Sequence, residues 1–276
     1  MKVIDYISDT HFDTHLQLGL KEDFERTFKP IFKNKQSDTL IIAGDIGEHN
    51  TQNLEVIRLL RDEIGYKNII MVLGNHDFFL CTPLARETYN DLSVNRVNEF
   101  KDMIEAEDGL RLLDGNIIEI DGIRIGGSMG WYDGEYIFKN LNKQKKKSED
   151  YVNRLWAEFH PDFEHIRGCL NTYDEFLNEE MTKLKKIHQD SDVIVSHINP
   201  STKMEHAALR YQKEDTSGFF CFDGTELLKY TKASHWIFGH SHTQKEFKVH
   251  GVKCVSNPFG YPGEWNRHFT VRTIEV

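Results

Sequence analysis

The sequence predicts an α/β protein built on a largely parallel sheet. Three observations carry that expectation. Apolar runs of strand length alternate through the first half of the chain with stretches of helical period. Five such runs stop abruptly at glycine or serine and pass into aspartate, histidine or asparagine, which is how an α/β sheet presents chemistry outside the carboxyl ends of its strands. The chain has 276 residues, 39% of them hydrophobic, enough for a sizeable core.

Taken in order, Ile4 to Ile7 is the first strand and runs into Ser8-Asp9-Thr10-His11. Glu22 to Lys33 places Phe24, Phe28, Ile31 and Phe32 at helical spacing. Leu40 to Ala43 is a strand ending in Gly44-Asp45. Leu54, Ile57, Leu60 and Ile64 recur every three or four residues in a charged segment, predicting an amphipathic helix with one face on the sheet. Ile69 to Leu73 is a strand that stops at Gly74-Asn75-His76-Asp77. A third helix is expected within Tyr89 to Ala106. Strand, helix, strand, helix, strand implies parallel pairing with right-handed crossovers.

The second half changes character. Leu110 to Leu113, Ile117 to Ile120 and Ile123 to Gly126 are short strands, the last two joined by Asp121-Gly122, a type I′ hairpin signal. Beyond Trp131-Tyr132 the pattern weakens into a polar stretch with a basic run at Lys143, Lys145, Lys146 and Lys147, expected to be a solvated loop. Leu170 to His188 reads as a helix. Val193 to Val195 ends in Ser196-His197, and Trp236 to Phe238 ends in Gly239-His240-Ser241-His242. The tail, from Glu246 to Val276, reads as antiparallel. No repeat or low-complexity linker divides the chain, so residues 1–276 are expected to form one domain with an inserted, partly helical segment about 131–190.

Composition excludes several classes. The net charge of -10 argues against a surface built mainly to hold duplex nucleic acid. No apolar stretch reaches the ~18 residues a membrane span needs, and a first strand starting at Lys2 leaves no room for a signal peptide; a cytoplasmic protein is expected. Cys81, Cys169, Cys221 and Cys254 are scattered without C-x-x-C spacing, indicating neither a thiolate metal site nor a disulfide framework. Cys254, alternating with Val252, is expected to be a small core residue.

The chemistry lies in Asp9, His11, Asp45, Asn75, His76, His197, His240 and His242. A lone histidine at a strand end is more often structural than a ligand, but eight such residues at the strand ends of one sheet form a constellation. Asp9 and His11, and likewise His240 and His242, stand at i, i+2, so on an extended backbone each pair points to one side and can grip one cation. Asp45 has two oxygens and can bridge two metals. Imidazole, carboxylate and amide without thiolate suit zinc, iron or manganese.

The motifs D-x-H at 9–11, GD at 44–45, GNHD at 74–77, a lone His197 after a strand and GHSH at 239–242 resemble those of the calcineurin-like metallophosphoesterases, in that family's order and over most of the chain. Asn257-Pro258-Phe259-Gly260-Tyr261-Pro262-Gly263-Glu264 is similar to the NPxGYxGE ending of some prokaryotic and phage members. The resemblance implies a four-layer α/β fold, a β-sandwich of two mixed sheets flanked by α-helices. It also implies two divalent or trivalent metal ions, manganese favoured over iron or zinc. One would be held by Asp9, His11, Asp45 and His242, the other by Asp45, Asn75, His197 and His240. It further implies phosphoester hydrolysis by a metal-bridging hydroxide, with His76 as proton donor and Asp77 orienting its ring. Ile198 stands where many members carry a second histidine; His49, His206 and Arg210 are candidates for its role, each against a plain exposed position. The expected substrate is a small phosphorylated molecule carrying a monoester or diester. A nuclease, and a scaffold that keeps the fold without activity, are the alternatives. Part of 131–190, with the 199–222 loop, is expected to wall the site and select the substrate, with Trp131 and Tyr132 at its rim; the competing reading is a peripheral helix on the outer sheet face.

Overall fold

The structure, a computed structural model, describes residues 2–142, 147–264 and 268–276. Within these, strands β1 (Val3–Ile7), β2 (Thr39–Ala43), β3 (Asn68–Val72) and β4 (Leu110–Leu112) lie side by side and parallel. A second sheet holds β5 (Asn116–Ile120), β6 (Ile123–Gly127), β7 (Val193–Val195), β8 (His235–Phe238), β9 (Lys245–Val249) and β10 (Val252–Ser256), in the order β5-β6-β7-β8-β10-β9. Its four central strands are parallel, and its edges are closed by the antiparallel hairpins β5/β6 and β9/β10. The Asp121-Gly122 turn of the first hairpin has both residues at positive φ, as a type I′ turn requires. Strand β11 (Arg272–Glu275) returns to the first sheet, antiparallel to β1. The tail is thus antiparallel except where β10 lies parallel to β8.

Period-two alternation explains the layers. Ile4, Tyr6, Ile41, Ala43, Ile70 and Val72 face one way and meet Ile125, Val193, Val195, Ile237 and Val255 of the other sheet. Their neighbours Ile7, Leu40, Ile42, Ile69 and Met71 face out and are covered by α2 (Asn50–Asp62) and α4 (Ser93–Glu105) through Leu54, Ile57, Leu60, Val97, Phe100 and Ile104. On the far side Ile194, Trp236, Phe238 and Cys254 are covered by α5 (Glu149–Phe159), α7 (Leu177–Ile187) and α8 (Thr225–Tyr230). Strands buried on both faces read as continuous apolar runs, which is why they stand out in the sequence. The result is helix, sheet, sheet, helix. All four cysteines are free thiols, with Cys254 buried in β10. Among the described residues no helix is long and apolar enough to cross a membrane.

Several sequence expectations are corrected. The site residues come from two sheets, not one: β1, β2 and β3 deliver Asp9 to Asp77, and β7 and β8 deliver His197 to His242. The continuous helix expected over Glu22–Lys33 is broken into a short turn at Leu20–Asp23, a wide turn at Phe24–Phe28 and a tight turn at Lys29–Phe32. Pro30 inside it lacks an N–H and crowds the carbonyl four residues back. The helix expected from Leu170 begins only at Leu177. Upstream, the backbone N–H groups of Asn171 and Tyr173 go to Glu175 and Asn153, and the Tyr173 carbonyl to the Trp131 indole, so they do not enter a helical ladder. Conversely α5, unread in the sequence, starts at Ser148, whose hydroxyl accepts from the Tyr151 N–H, and buries Val152 and Trp156. Lys147, the last member of the basic run, pairs with Asp215; Lys143, Lys145 and Lys146 lie outside the described residues.

Arg96 of α4 fastens this scaffold to the loops above it. Its guanidinium is buried and donates to the carbonyls of Gly47 at 2.6 Å, His76 at 2.9 Å and Phe79 at 3.1 Å. Arg96→Leu strands these acceptors, each costing on the order of 1–3 kcal/mol. Thermal unfolding should therefore fall by about 5 °C or more, at roughly 2–4 °C per kcal/mol for a chain of this size. A midpoint within about 1 °C of the parent would show that the clamp contributes nothing.

Candidate metal centre

The carboxyl ends of β1, β2, β3, β7 and β8 converge at one end of the sandwich. Asp9, His11, Asp45 and His242 each place a ligand-type atom within 4.8 Å of the others, and Asp45, His197 and His240 do the same. Asp45 belongs to both groups. His11 Nε2 lies 3.7 Å and His197 Nε2 3.2 Å from Asp45 Oδ2, and His242 Nε2 lies 3.6 Å from Asp9 Oδ1. Asn75 joins the second group, its Oδ1 3.1 Å from His197 Nε2. The i, i+2 argument fails for His240 and His242, which divide between the groups.

None of these strand-end residues is extended, and in the second pair the two rings turn to different groups. Asp9, His11, Asp45, His240 and His242 have φ of 50°, 38°, 52°, 71° and 45°. Left-handed non-glycine residues cost on the order of 1 kcal/mol or more each and persist only where their surroundings impose them. Here the His240 N–H donates to Asp9 Oδ1 at 2.7 Å and the His76 N–H to Asp45 Oδ1 at 2.9 Å. Motif glycines are required by proximity. A Cβ on Gly44 would stand 2.4 Å from the His197 ring, and one on Gly74 would stand 2.2 Å from Asp45 Oδ1.

Hydrogen bonds on the far side of each ring decide which nitrogen faces the cluster. His197 Nδ1 donates to the Ala43 carbonyl at 2.9 Å, so Nε2 is the atom that faces Asp45 Oδ2 and Asn75 Oδ1. His240 Nε2 donates to the Phe219 carbonyl at 2.9 Å, leaving Nδ1 as its lone-pair atom. His242 Nδ1 meets Glu264 Oε2 at 2.5 Å, and its Nε2 lies 3.1 Å from that of His11, whose buried Nδ1 has no partner. Nitrogen and oxygen ligand atoms thus crowd together around Asp45, an arrangement that a cation between them satisfies. The surroundings favour positive charge there. Burial opposes a charged His197, yet the Asp45 carboxylate and the Ala43 carbonyl raise its pKa to about 9. Burial likewise opposes ionised Asp45, but His197 and His76 hold it well below the usual carboxylate range. The donor set therefore fits two metal ions.

His76 stands beside the groups without belonging to either. Its Nδ1 is 3.1 Å from Glu48 Oε1, and the Tyr261 hydroxyl is 3.1 Å from its Nε2. Burial lowers its affinity for a proton, but Asp45 and Glu48 outweigh burial and raise its pKa. Asp77 does not touch the ring. Its carboxylate accepts from the backbone N–H groups of Gly74 at 2.7 Å, Ile46 at 3.2 Å and Gly47 at 3.4 Å, so it shapes the loops while Glu48 takes the orienting position expected of it.

The ending at 257–264 also belongs to the site. The N–H groups of Phe259 and Gly260 donate to the carbonyls of Ser8 and Asp9, which lays the segment along the end of β1. Tyr261 then stacks on His11 at 4.3 Å between ring centroids, and Glu264 reaches His242. A cavity of about 360 Å³ opens over the cluster. Its walls are Phe159, His160 and Pro161 from one side and Arg210, Tyr211, Thr216 and Phe220 from another, so both 131–190 and 199–222 reach it. The same segment also covers the outer face of the second sheet through Trp156, Leu184 and Ile187, so it both walls the cavity and covers the sheet. Trp131 and Tyr132 are not at the rim. Both are fully buried, with the Trp131 indole on the Tyr173 carbonyl and the Tyr132 hydroxyl on Asp162. Of the candidates to replace a second histidine at Ile198, Arg210 lines the cavity, His49 is exposed and His206 is buried against Phe247.

The calcineurin-like phosphoesterase profile matches residues 2–244. The chain belongs to that family. A calcineurin-like phosphoesterase is a hydrolase of phosphoester bonds, and the paired donor groups above form a centre suited to metal-dependent chemistry. Among curated proteins, this phosphoesterase is 27% identical over 256 residues to the symmetrical bis(5'-nucleosyl)-tetraphosphatase of Buchnera aphidicola subsp. Schizaphis graminum, covering 88% of this chain and 80% of the relative. It is 23% identical over 307 residues to an uncharacterized protein of Acanthamoeba polyphaga mimivirus, covering 100% and 97%. Among solved structures, the phosphopantetheinyl hydrolase of Mycobacterium tuberculosis superposes with a TM-score of 0.66 at 20% identity, covering 99% of this chain and 95% of that one. That likeness bears on the fold alone.

The exchanged roles of Glu48 and Asp77 are testable. Asp77→Ala leaves buried N–H groups unpaired, at on the order of 1–3 kcal/mol, and should lower the thermal midpoint. Glu48→Ala should leave the midpoint nearly unchanged and cut turnover roughly tenfold, a fraction of the ~10²–10⁴ that a positioned acid supplies. Thermal unfolding and steady-state kinetics read the two; the reverse pattern would return the orienting role to Asp77.

Proposed function

We propose that this phosphoesterase cleaves a small phosphorylated substrate, a monoester or diester, at a centre where Asp45, common to both donor groups, would help hold two cations, with His76 donating a proton to the leaving oxygen. The observation that supports it most is the pair of donor groups sharing one carboxylate, with an imidazole beside them that joins neither. In this reading Asp9, His11, Asp45 and His242 hold one ion, and Asp45, Asn75, His197 and His240 hold the other. Manganese is favoured over iron or zinc, and an imidazole-rich set disfavours magnesium. Two such ions supply charge that neutralises phosphoryl oxygens and makes a water acidic enough to attack.

The chain's own side chains do the rest. Glu48 fixes the His76 ring through Nδ1, so that Nε2 is the atom from which a proton passes to the leaving group. Arg210 and His160 line the cavity and suit further phosphate oxygens, and Phe159, Tyr211, Phe220 and Tyr261 offer flat faces. Those aromatic walls favour a substrate with a planar group, such as a nucleoside phosphate. The bis(5'-nucleosyl)-tetraphosphatase name of the relative points the same way. A nuclease acting on single strands is a second reading of the same surface.

Exhaustive chelation should abolish hydrolysis of aryl phosphomonoesters, diesters and dinucleoside polyphosphates, and manganese should restore it better than magnesium. Full turnover after confirmed metal removal would contradict the proposal. Asp45→Ala should lose metal at both positions. His76→Ala should keep both ions and lose roughly 10²- to 10⁴-fold in turnover, less for substrates with good leaving groups. An empty metal position in His76→Ala would overturn its assignment as proton donor.

A further inference from the structure

Asn75 is an amide, and an amide holds a cation only through its oxygen. Rotated by half a turn it presents NH2, which repels one. A directional chain of hydrogen bonds decides between the two. Trp156 Nε1 is a donor only and lies 2.8 Å from the Tyr132 hydroxyl. The hydroxyl accepts there and sends its own proton to Asp162 Oδ2, 2.6 Å away. The Asp162 carboxylate accepts again at Oδ1, from Asn75 Nδ2 at 2.8 Å. Asn75 Oδ1 is therefore turned toward His197 Nε2, 3.1 Å away. Exposures of 1%, 0%, 0% and 2% for Trp156, Tyr132, Asp162 and Asn75 leave no water to rearrange the chain. His160 Nδ1 lies 3.2 Å from Asp162 Oδ2, so the same carboxylate also touches a side chain of the cavity wall.

A carboxylate is the group that makes this unambiguous. It only accepts, whereas an amide or hydroxyl in its place would accommodate either orientation of Asn75. We propose that Asp162, backed by Tyr132, is a positioning residue that fixes the Asn75 amide with its oxygen toward the second group and so completes that cation site. The inference rests on the reading of that group as a cation site. It gives the 131–190 segment a role beyond covering a sheet, since α6 (Pro161–His165) carries Asp162 into the cluster.

The test uses purified protein and manganese alone, with bound ions counted after equilibrium dialysis and their affinities measured by calorimetry and electron paramagnetic resonance. Asp162→Asn keeps the volume but brings an NH2 that can donate to Asn75 Oδ1 and turn the amide over. It should weaken the second ion by about 10- to 100-fold, the usual effect of losing a ligand's orienting partner, and change the first by less than about threefold. Asn75→Asp in that background removes the need for orientation, and the double variant should recover second-ion affinity to within about threefold of the parent. Tyr132→Phe carries the test if Asp162→Asn does not fold; it should weaken the second ion about threefold or more. Parent protein with two ions and an Asp162→Asn or Tyr132→Phe variant with unchanged second-ion affinity would overturn the inference, as would a loss that the double variant fails to relieve. Parent protein binding fewer than two ions would overturn the cation reading itself, and this inference with it.

Discussion

Two buried carboxylates, four imidazoles and an amide crowd into one space at the end of a β-sandwich, two of the imidazoles with an N–H spent on a carbonyl behind them. Ala43 takes the His197 proton and Phe219 that of His240, while Glu264 stands behind His242. Without positive charge between them these atoms repel, and burial removes the water that would screen them. Much of the surrounding structure holds that arrangement in place. Five left-handed aspartates and histidines, two glycines with no room for a methyl group and a buried arginine on three carbonyls are stability spent on geometry.

The two-sheet architecture supplies the convergence. Parallel strands in both sheets end at the same edge of the sandwich, so residues far apart in sequence meet without long loops: Asp9 beside His242, Asp45 beside His197. The shared layer of Ile41, Ile70, Val193 and Ile237 fixes the sheets against each other, and close-packed side chains yield little. Asp45 lies at the seam, taking contacts from both sides. Its place in both donor groups follows from its position just after β2, the middle strand of the first sheet, facing the end of β7.

The strands and the identity of the cluster were legible because both depend on local pattern. A strand buried on both faces is an apolar run whatever its neighbours, and a polar residue straight after it marks the strand end. What depended on the third dimension was not. The i, i+2 pairing of His240 with His242 presumed an extended backbone, and only tertiary contacts such as the Asp9 carboxylate on the His240 N–H bend it. Asp77 is adjacent to His76 in sequence, but the tight turn at 75–78 points its carboxylate back at the loop amides, and Glu48 arrives from β2 instead. Trp131 and Tyr132 follow a glycine-rich strand end that suggests a rim, but Trp156 of α5 packs on them together with Tyr173, Phe176 and Phe219. Helix α5 carried a signal in Ser148 and the spacing of Val152 and Trp156, diluted by charged residues. Tyr261 and Glu264 lie within the ending at 257–264, whose role the sequence does not indicate. Asp162 had no local signal; it matters only because its partners come from β3 and from the turn after β6.

Where metal binds tests the shared Asp45 carboxylate most directly. Crystals loaded with manganese and measured at its absorption edge should show two anomalous peaks at the carboxyl ends of β1, β2, β7 and β8, both touching Asp45. One should also touch Asp9, His11 and His242, and the other Asn75, His197 and His240. A single peak, or two peaks that do not share Asp45, would contradict it.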